Sequence, residues 1–567
     1  MKSGNLLRHK LLVIAIIALS SLELAHYASF VLYPEPGTVL AGTHTEDGLR
    51  YAIMASVTKG FENPWNPGES LFLNPLPTSP YVYIPLGYLS AASGASPVLV
   101  SVVAKALATA ALLCTAYLFF RRFLGDKGDI AFALFALPLG LGGLVHFSGL
   151  LRLPFGFAYE YNYIGSFSKL YFTIPLSTGM LSLMFLDKAK KAHSALLLGV
   201  TALIYPMFGI AFFVAHVIYF LVHYQPAGIR PALAKAAKSS LPSFSGIVIF
   251  ASPWVAAFVL NRPAFAAYTA ISKLTPAFAL SLFASLFVAV ALTLFVALKK
   301  GVSKKWAVAF AAVSALFAAS QAAALWFGSP AVLSAVYPFA SSVFLIALAA
   351  AFIAVIKSSL PARTKFFLSW VLAIAAMSTA DPAAVPWAPE RLAHTLKLPI
   401  AAVASLSVCH AWPRIRKAHV IGVLLLVSLP SLVAYNAMIQ EDMRTSPGTF
   451  FSEADYGALV ELSRLPDGKV LASKEVSAYV PYLAGKPALI APLEGVALDN
   501  SLKERGFSAF LSSETSESEK LAFLKAYDVS YVFFGEREMK ESGLQDLDSL
   551  GFLEKVYDEG SKIYRII

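Results

Sequence analysis

The chain has 567 residues, 57% hydrophobic and only 14% charged, with a mean hydropathy of +0.66. Soluble domains carry roughly 25% charged residues, so an ordinary soluble enzyme and a disordered chain are both excluded, and the composition is that of a polytopic membrane protein. The net charge of +11 hides a division: residues 1–439 carry 31 Lys and Arg against 12 Asp and Glu, and the remainder 14 against 22. A basic excess in the apolar part is what cytoplasmic loops produce. No arginine-rich or aromatic-basic tract points to nucleic acid. Cys114 and Cys409 both lie inside apolar runs, so neither a disulfide framework nor a cysteine metal site can be built.

Runs of about 20 apolar residues, enough for a helix rising 1.5 Å per residue to cross roughly 30 Å of hydrocarbon, fall at 11–33, 96–120, 129–150, 168–186, 241–260, 277–298, 306–327, 331–356, 366–381, 395–413 and 418–437. The stretch 193–223 could be one span, but Tyr205-Pro206 lies near its middle, and proline removes a backbone donor and disfavours helix for the residue before it. Charge decides between one span and a hairpin of two. With 193–205 and 207–223 as separate short spans, the clusters around Arg8, Arg121, Lys190, Lys235, Lys300, Arg363 and Arg416, which hold 22 of the 31 basic residues, all face the cytoplasm. A single span would turn the later clusters outward. The first run exceeds the 7–15 apolar residues of a signal-peptide core and lacks a small-residue cleavage site, so it reads as a retained anchor.

The sequence therefore predicts an α-helical, multi-pass cell-membrane protein of about 13 transmembrane helices with a cytoplasmic amino terminus. Residues 1–440 form the transmembrane domain and 441–567 a soluble, extracytoplasmic α/β domain. On this topology the acids Glu46, Asp47, Glu160 and Glu390 lie on the outer side, where any acid/base chemistry would take place.

The first outer loop, 34–95, opens with HTEDGLRYA (44–52), continues as a short amphipathic helix to Lys59, and reaches the second span through YVYIPLGYLSA (81–91). Loops of this length are functional or disordered, and Trp65, Phe72, Tyr81, Tyr83 and Tyr88 argue against disorder. These aromatics suit an interfacial belt and also stacking on sugar rings. Glu46-Asp47 is the sharpest local feature. One carboxylate could act as a general base, which must be ionised and within reach of the proton it takes, while the other holds a metal or structures the loop. Alternatively both acids complement a helix amino terminus capped by Thr45.

The second outer loop carries RLPFGFAYEYNYIGSFSK (152–169), with Glu160 between two tyrosines: a sugar-hydroxyl acceptor or a solvated acid. Before the twelfth span, ADPAAVPWAPERLAHTLKLP (380–399) places Arg391 and His394 on one helix face. An arginine there suits a phosphate, because its planar fork donates two hydrogen bonds; headgroup anchoring is the plainer reading. Lys105, in the outer half of the second span, is an intramembrane cation and hence a functional candidate.

From about 441 the pattern predicts strands at 469–473, 487–492, 529–535 and a terminal hairpin over 553–567 with its turn at Glu559-Gly560, and helices at 453–464 and 516–527. No phosphate-binding fingerprint, HExxH or nucleophile elbow occurs there. A structural or acceptor-guiding role is expected of the tail.

The order of these features resembles the GT-C superfamily of integral-membrane glycosyltransferases, which includes the oligosaccharyltransferase catalytic subunit, protein O-mannosyltransferases and the aminoarabinose transferases of lipid A. The residues that carry the resemblance are HTEDGLRYA, YVYIPLGYLSAASG, YLFFRRF, PERLAHTLKLP and, in the tail, VLASKEVSAYVPYLAGKPALIAP with YDVSYVFFGERE and KIYRII. The resemblance implies transfer of a hexosyl, pentosyl or larger glycan from a polyprenyl-phosphate or polyprenyl-diphosphate donor to an extracytoplasmic lipid, glycan or protein acceptor. It implies Asp47 or Glu46 as base and Arg391 as the residue that holds the donor phosphate; His394 and Lys105 are further substrate-binding candidates on their own chemistry. Glu160 would be a second-loop acid near the sugar or a metal, and the aromatic residues of 81–91, Tyr81 and Tyr83 among them, would line the lipid groove. A divalent cation, Mg or Mn, would be held by Glu46, Asp47 and Glu160. The WWDYG-type acceptor motif of oligosaccharyltransferases is absent, and SKEVSAYVPYLAGK (473–486) stands in a comparable place. Two competing readings follow from other classes: a transporter or flippase of a lipid-linked glycan, against which the sequence shows no inverted repeat, and a non-catalytic envelope scaffold acting through its tail.

Overall fold

The computed structural model of the chain describes residues 24–25, 27–28, 31, 37–40, 47–70, 80–136, 169–225, 228–260, 348–378, 389–411, 419–422, 450–492, 496–497 and 499–567. The protein is mostly helical. β1 (Thr38–Leu40) precedes α1 (Asp47–Ser56), whose last turn tightens into a 3-10 helix at Val57–Lys59 and ends at Gly60, φ +75°. β2 (Glu62–Asn63) and β3 (Asn66–Ser70) pair antiparallel. The helices α2 (Pro80–Ser93), α3 (Pro97–Leu124), α4 (Gly128–Ala136), α5 (Leu170–Asp187), α6 (Lys191–Ile204), α7 (Pro206–Tyr224), α8 (Ile229–Leu260), α9 (Leu348–Lys357), α10 (Ala362–Ser378) and α11 (Pro389–Ala411) follow. Among the described residues four helices, Pro97–Ala136, Leu170–Asp187, Pro206–Tyr224 and Arg230–Ala256, are long and apolar enough to cross a membrane. The spans expected at 277–298 and 306–327 lie outside the described residues.

The chain divides into two compact units. One is centred on Ala108–Ser252 and Ser272–Asn436, and the other holds Ile17–Leu107, Pro253–Ile271 and Ala437–Ile567.

The first unit is a helical bundle, and its contacts fix the course of the ambiguous stretch. Tyr205 is extended at φ −147°, which ends α6 and leaves Pro206 as the opening residue of α7. Along α5 and α7, Phe172 stacks on Phe208, Gly179 lies against the Phe212 ring, and the Tyr219 hydroxyl donates to Asp187, so these helices run parallel. Along α5 and α6 the order is reversed: Thr178 meets Thr201 at 2.8 Å and the Ser194 hydroxyl donates to the Ser182 carbonyl. α6 and α7 are therefore a reversing hairpin, as the proline and the charge pattern predict. α8 and α10 return antiparallel to α7, through Tyr224–Ser239 and His216–Ser243 in one case and Tyr219–Phe366 and Phe212–Trp370 in the other.

Four of the basic clusters consequently meet at one end of this bundle. Arg122 pairs with Asp187 at 2.5 Å, and Arg121 with Asp126 and Asp129. Lys365 donates to the Gln225 side chain and the Ile356 carbonyl. Lys235 and Lys238 precede the Ser239 contact, and Ser405 of α11 reaches the Lys127 carbonyl at this same end. Because α11 arrives there with its later residues, its first turns, which carry Arg391, point the backbone toward the opposite end.

The second unit joins the stretch that follows the first apolar run to the tail. β4 (Phe450–Ser452) pairs with β1, residues some 410 positions apart in sequence. Then come α12 (Glu453–Arg464), β5 (Lys469–Leu471), α13 (Lys474–Ser477), α14 (Val480–Leu483), α15 (Asn500–Leu511), α16 (Glu517–Ala526), β6 (Val529–Phe534), α17 (Glu536–Ser542), β7 (Leu553–Glu559) and β8 (Ser561–Ile566). The sheet order is β5-β6-β8-β7, with β5 and β6 parallel and the rest antiparallel. Leu471, Ile490, Phe510, Leu524, Val532 and Tyr564 are buried in its core. The strand expected at 487–492 is reduced to a single bridge, Val470 to Ala488. The buried Asn500 side chain takes both the N–H and the carbonyl of Ala491, leaving nothing there for a strand partner.

Candidate active site

Asp47 occupies the first helical position of α1. An acid there lies where the helix dipole favours negative charge. What fixes α1 in place is the tail. Gly48 lies so close to Tyr479 that an added Cβ would come within 2.6 Å of the ring. One turn later Tyr51, fully buried, meets Tyr482 at 5.5 Å between ring centroids. Beyond the helix, the Trp65 indole donates to the Ser477 carbonyl at 3.1 Å, and the buried Asn63 amide to Val496 at 2.8 Å. The Lys59 ammonium donates to the Gly485 carbonyl. Thus SKEVSAYVPYLAGK, the segment standing where an acceptor motif is expected, packs along the helix that Asp47 opens. Burial pushes the Tyr482 phenol up to about 12, so it stays neutral near physiological pH.

The opposite face of α1 rests on α2. Gly87 allows this approach, since a Cβ there would meet the Met54 carbonyl at 2.4 Å. Arg50, three residues after Asp47, is fully buried, with its guanidinium 5.9 Å from the centre of the Tyr83 ring. Tyr83 is itself fully buried. Its place is under α1 beside Arg50. Tyr81 is half-buried and meets Trp254 edge-on at 5.9 Å. Lys105 is 1% exposed within α3.

Arg391 and His394 fall in the first turns of α11, as the helical spacing predicts; their side chains, like that of Asp47, are outside the described residues, as are Glu46 and Glu160 altogether. Among the described residues no three His, Cys, Asp or Glu side chains gather as metal ligands. Arg50, Tyr479 and Tyr482 are the site residues that pattern alone does not single out. Their signals are present but local: an arginine inside an otherwise apolar LRYAIMA run, and two tyrosines three apart in the tail.

No family profile and no curated protein matches the chain. By structure it is similar to the archaeal oligosaccharyltransferase of Archaeoglobus fulgidus in complex with an inhibitory peptide and a dolichol-phosphate, at 14% identity and TM-score 0.49, covering 100% of this chain and 75% of that one. The crystal structure of the same organism's oligosaccharyltransferase with zinc and sulfate matches at 15% identity and TM-score 0.48, over 98% and 73% of the two chains. A mycobacterial arabinofuranosyltransferase matches at 12% identity and TM-score 0.46, over 98% of this chain and 40% of its own. At these scores none of the likenesses assigns an activity.

Proposed function

We propose that the chain is a membrane glycosyltransferase that moves a sugar or glycan from a polyprenyl-phosphate or polyprenyl-diphosphate donor to an extracytoplasmic acceptor. The observation that carries this reading is the clamping of α1, which Asp47 opens, by tail residues 477–485. A reacting carboxylate must be held on a rigid element, because misplacement by about 1 Å can cost 100-fold in rate. In the proposed step the Asp47 carboxylate takes the proton of the acceptor nucleophile as its heteroatom bonds to the anomeric carbon. The bond from that carbon to the donor phosphate breaks, and the electron pair leaves with the phosphate oxygen. Arg391 stabilises the departing phosphate through charge-assisted hydrogen bonds. Because phosphate is already a good leaving group, no general acid is needed. Glu46 and Glu160, with Asp47, are the proposed carboxylates for a divalent cation, Mg or Mn, which would supply further charge neutralisation at the donor.

The test is incubation of the purified full chain with radiolabelled polyprenyl-phosphate sugars and membrane extract, comparing wild type with Asp47→Ala and Arg391→Ala. Label is expected to pass to a new acceptor with wild type, and to fall by at least about 100-fold with either variant. Full transfer by both variants would overturn the assignment. Movement of a lipid-linked glycan across sealed vesicles without covalent product would favour a transporter, and loss of function only on deleting the tail would favour a scaffold. Chelation followed by Mg or Mn addition tests the metal: restored transfer is expected for wild type.

A further inference from the structure

The unit formed by the first outer loop and the tail contains a cleft of about 390 Å³ that lies beyond the end of α1 remote from Asp47. Met54, the first residue of the cleft lining, comes seven positions after Asp47 on the helix, so the two are about 10 Å apart along the axis. The volume is within the range of roughly 300–1,000 Å³ typical of small-molecule sites. We propose that this cleft binds neutral saccharide, holding sugar units beyond the one that reacts; the proposal rests on the glycosyltransferase reading.

Charge, hydrogen bonding and backbone chemistry select this class of ligand. The lining presents one exposed carboxylate, Glu62, and one exposed ammonium, Lys59. Lys486 also borders the cleft, but it is only 2% exposed and its ammonium is turned to the Leu465 and Pro466 carbonyls. An anion would face Glu62 and a cation would face Lys59, so a neutral ligand that both donates and accepts hydrogen bonds fits best. The Glu62 carboxylate makes no hydrogen bond or ion pair among the described residues, whereas the hydroxyls of Ser56, Thr58 and Ser90 already donate to the carbonyls of Ala52, Ala55 and Ala95. A carboxylate free to accept two donors matches a pair of adjacent sugar hydroxyls. Proline supplies much of the wall, at Pro64, Pro67, Pro97, Pro481 and Pro487. Having no N–H, these residues cannot extend a strand ladder to a peptide. The lip is built at a cost: Gly60 and Phe61 lie at φ +75° and +64°, and the left-handed turn at Phe61, unfavourable for a bulky residue, delivers Glu62 to the cleft and Phe61 onto Tyr88.

Saturation-transfer NMR tests the proposal on the full chain in lipid nanodiscs, which avoid sugar-headed detergents. The probes are methyl α-mannoside, N-acetylglucosamine and lactose, with triglycine and inorganic phosphate alongside. Saccharide signal is expected for wild type, lost in Ala91→Trp, which fills the cleft from an exposed position, and about 10-fold weaker in Glu62→Gln, the loss of one charge-assisted hydrogen bond. Asp47→Ala is expected to keep it. Absence of any saccharide signal, indifference to both cleft variants, or binding of triglycine or phosphate in place of sugar overturns the proposal. If the signal survives both cleft variants but is lost in Asp47→Ala, the cleft reading falls while the transferase reading stands. Cleft binding with no transfer from any donor gives the converse.

Discussion

In the helical unit, hydroxyl groups are mostly returned to the helix that carries them: Ser177 to Thr173, Thr201 to Leu197, Ser240 to Ala236 and Ser407 to Val403. In the unit of first loop and tail, polar groups reach across the sequence: Asn63 to Val496, Trp65 to Ser477, Glu538 to Ser473. Apolar helices satisfy their own backbones and can be packed by shape and aromatic contact alone, with few long-range polar ties. Irregular loops cannot, so their buried donors and acceptors must find distant partners. The second arrangement is what a loop-borne carboxylate requires. It converts part of the stretch 34–95 into a fixed element.

The comparison is broken most severely at the contact between α1 and the tail. Gly48→Val is expected to lower glycosyl transfer by about 100-fold, since the new side chain collides with the Tyr479 ring and displaces the helix that begins at Asp47. The double variant with Tyr479→Ala should recover part of that loss. Unchanged transfer in Gly48→Val would show that this packing does not hold the reacting group. The bundle is tested at His216, fully buried, whose two ring nitrogens meet Ser182 at 3.0 Å and Ser243 at 2.8 Å and tie α5, α7 and α8 together. His216→Leu is expected to cost about 2 kcal/mol, because Ser243 loses its cross-helix partner and the shape match is imperfect. Thermal unfolding followed by tryptophan fluorescence should register the loss in the bundle, while amide exchange in the tail stays at its wild-type rate.

The two units also differ in what their sequences disclose. The hairpin of α6 and α7 is legible because proline biases the residue before it away from the helix and the charge pattern requires a reversal there; proline alone would not decide it, since Pro85, Pro175 and Pro399 lie inside helices. The strands at 529–534 and 553–566 are legible because valine, isoleucine and aromatic residues recur in them and the last two are punctuated by Gly560, at φ +87°. The missing strand at 487–492 is not, because the group that pre-empts it, Asn500, acts through its side chain. Nor does periodicity reveal that β1 pairs with β4 or that Tyr51 meets Tyr482. Contacts some 400 residues apart leave no mark on either segment alone. Tyr83 illustrates the same point within the site: its aromatic character suits a sugar or an interface equally, and only the position of Arg50 places it under α1.

The remaining effects lie in the tail, where long-range polar ties can be removed singly. Glu538, fully buried, accepts the Ser473 N–H at 2.9 Å and the Gly535 N–H at 3.1 Å, one on each carboxylate oxygen. Glu538→Ala strands both donors and is expected to cost about 2 kcal/mol of tail stability, with faster exchange at those two amides as the measurement. Glu538→Gln should cost less, since one oxygen remains. The pH dependence separates this tie from a surface one. Burial raises the Glu538 carboxyl above the ordinary glutamate value, despite the two accepted hydrogen bonds. The folded tail therefore binds this proton more tightly than the unfolded chain, and the contribution is fully present below the unfolded glutamate value and lost as pH rises through the folded one. Asp548 has the opposite sign: hydrogen bonds from Lys555 at 2.8 Å and Tyr564 at 2.9 Å hold it below the usual aspartate range. Its contribution is present above the unfolded aspartate value and is lost as pH falls through the folded one. Acid titration of tail unfolding should thus steepen in Glu538→Gln, where the Asp548 loss is no longer offset by Glu538, and flatten in Asp548→Asn. Identical acid profiles in the two variants would mean that neither carboxyl differs between the folded and unfolded tail.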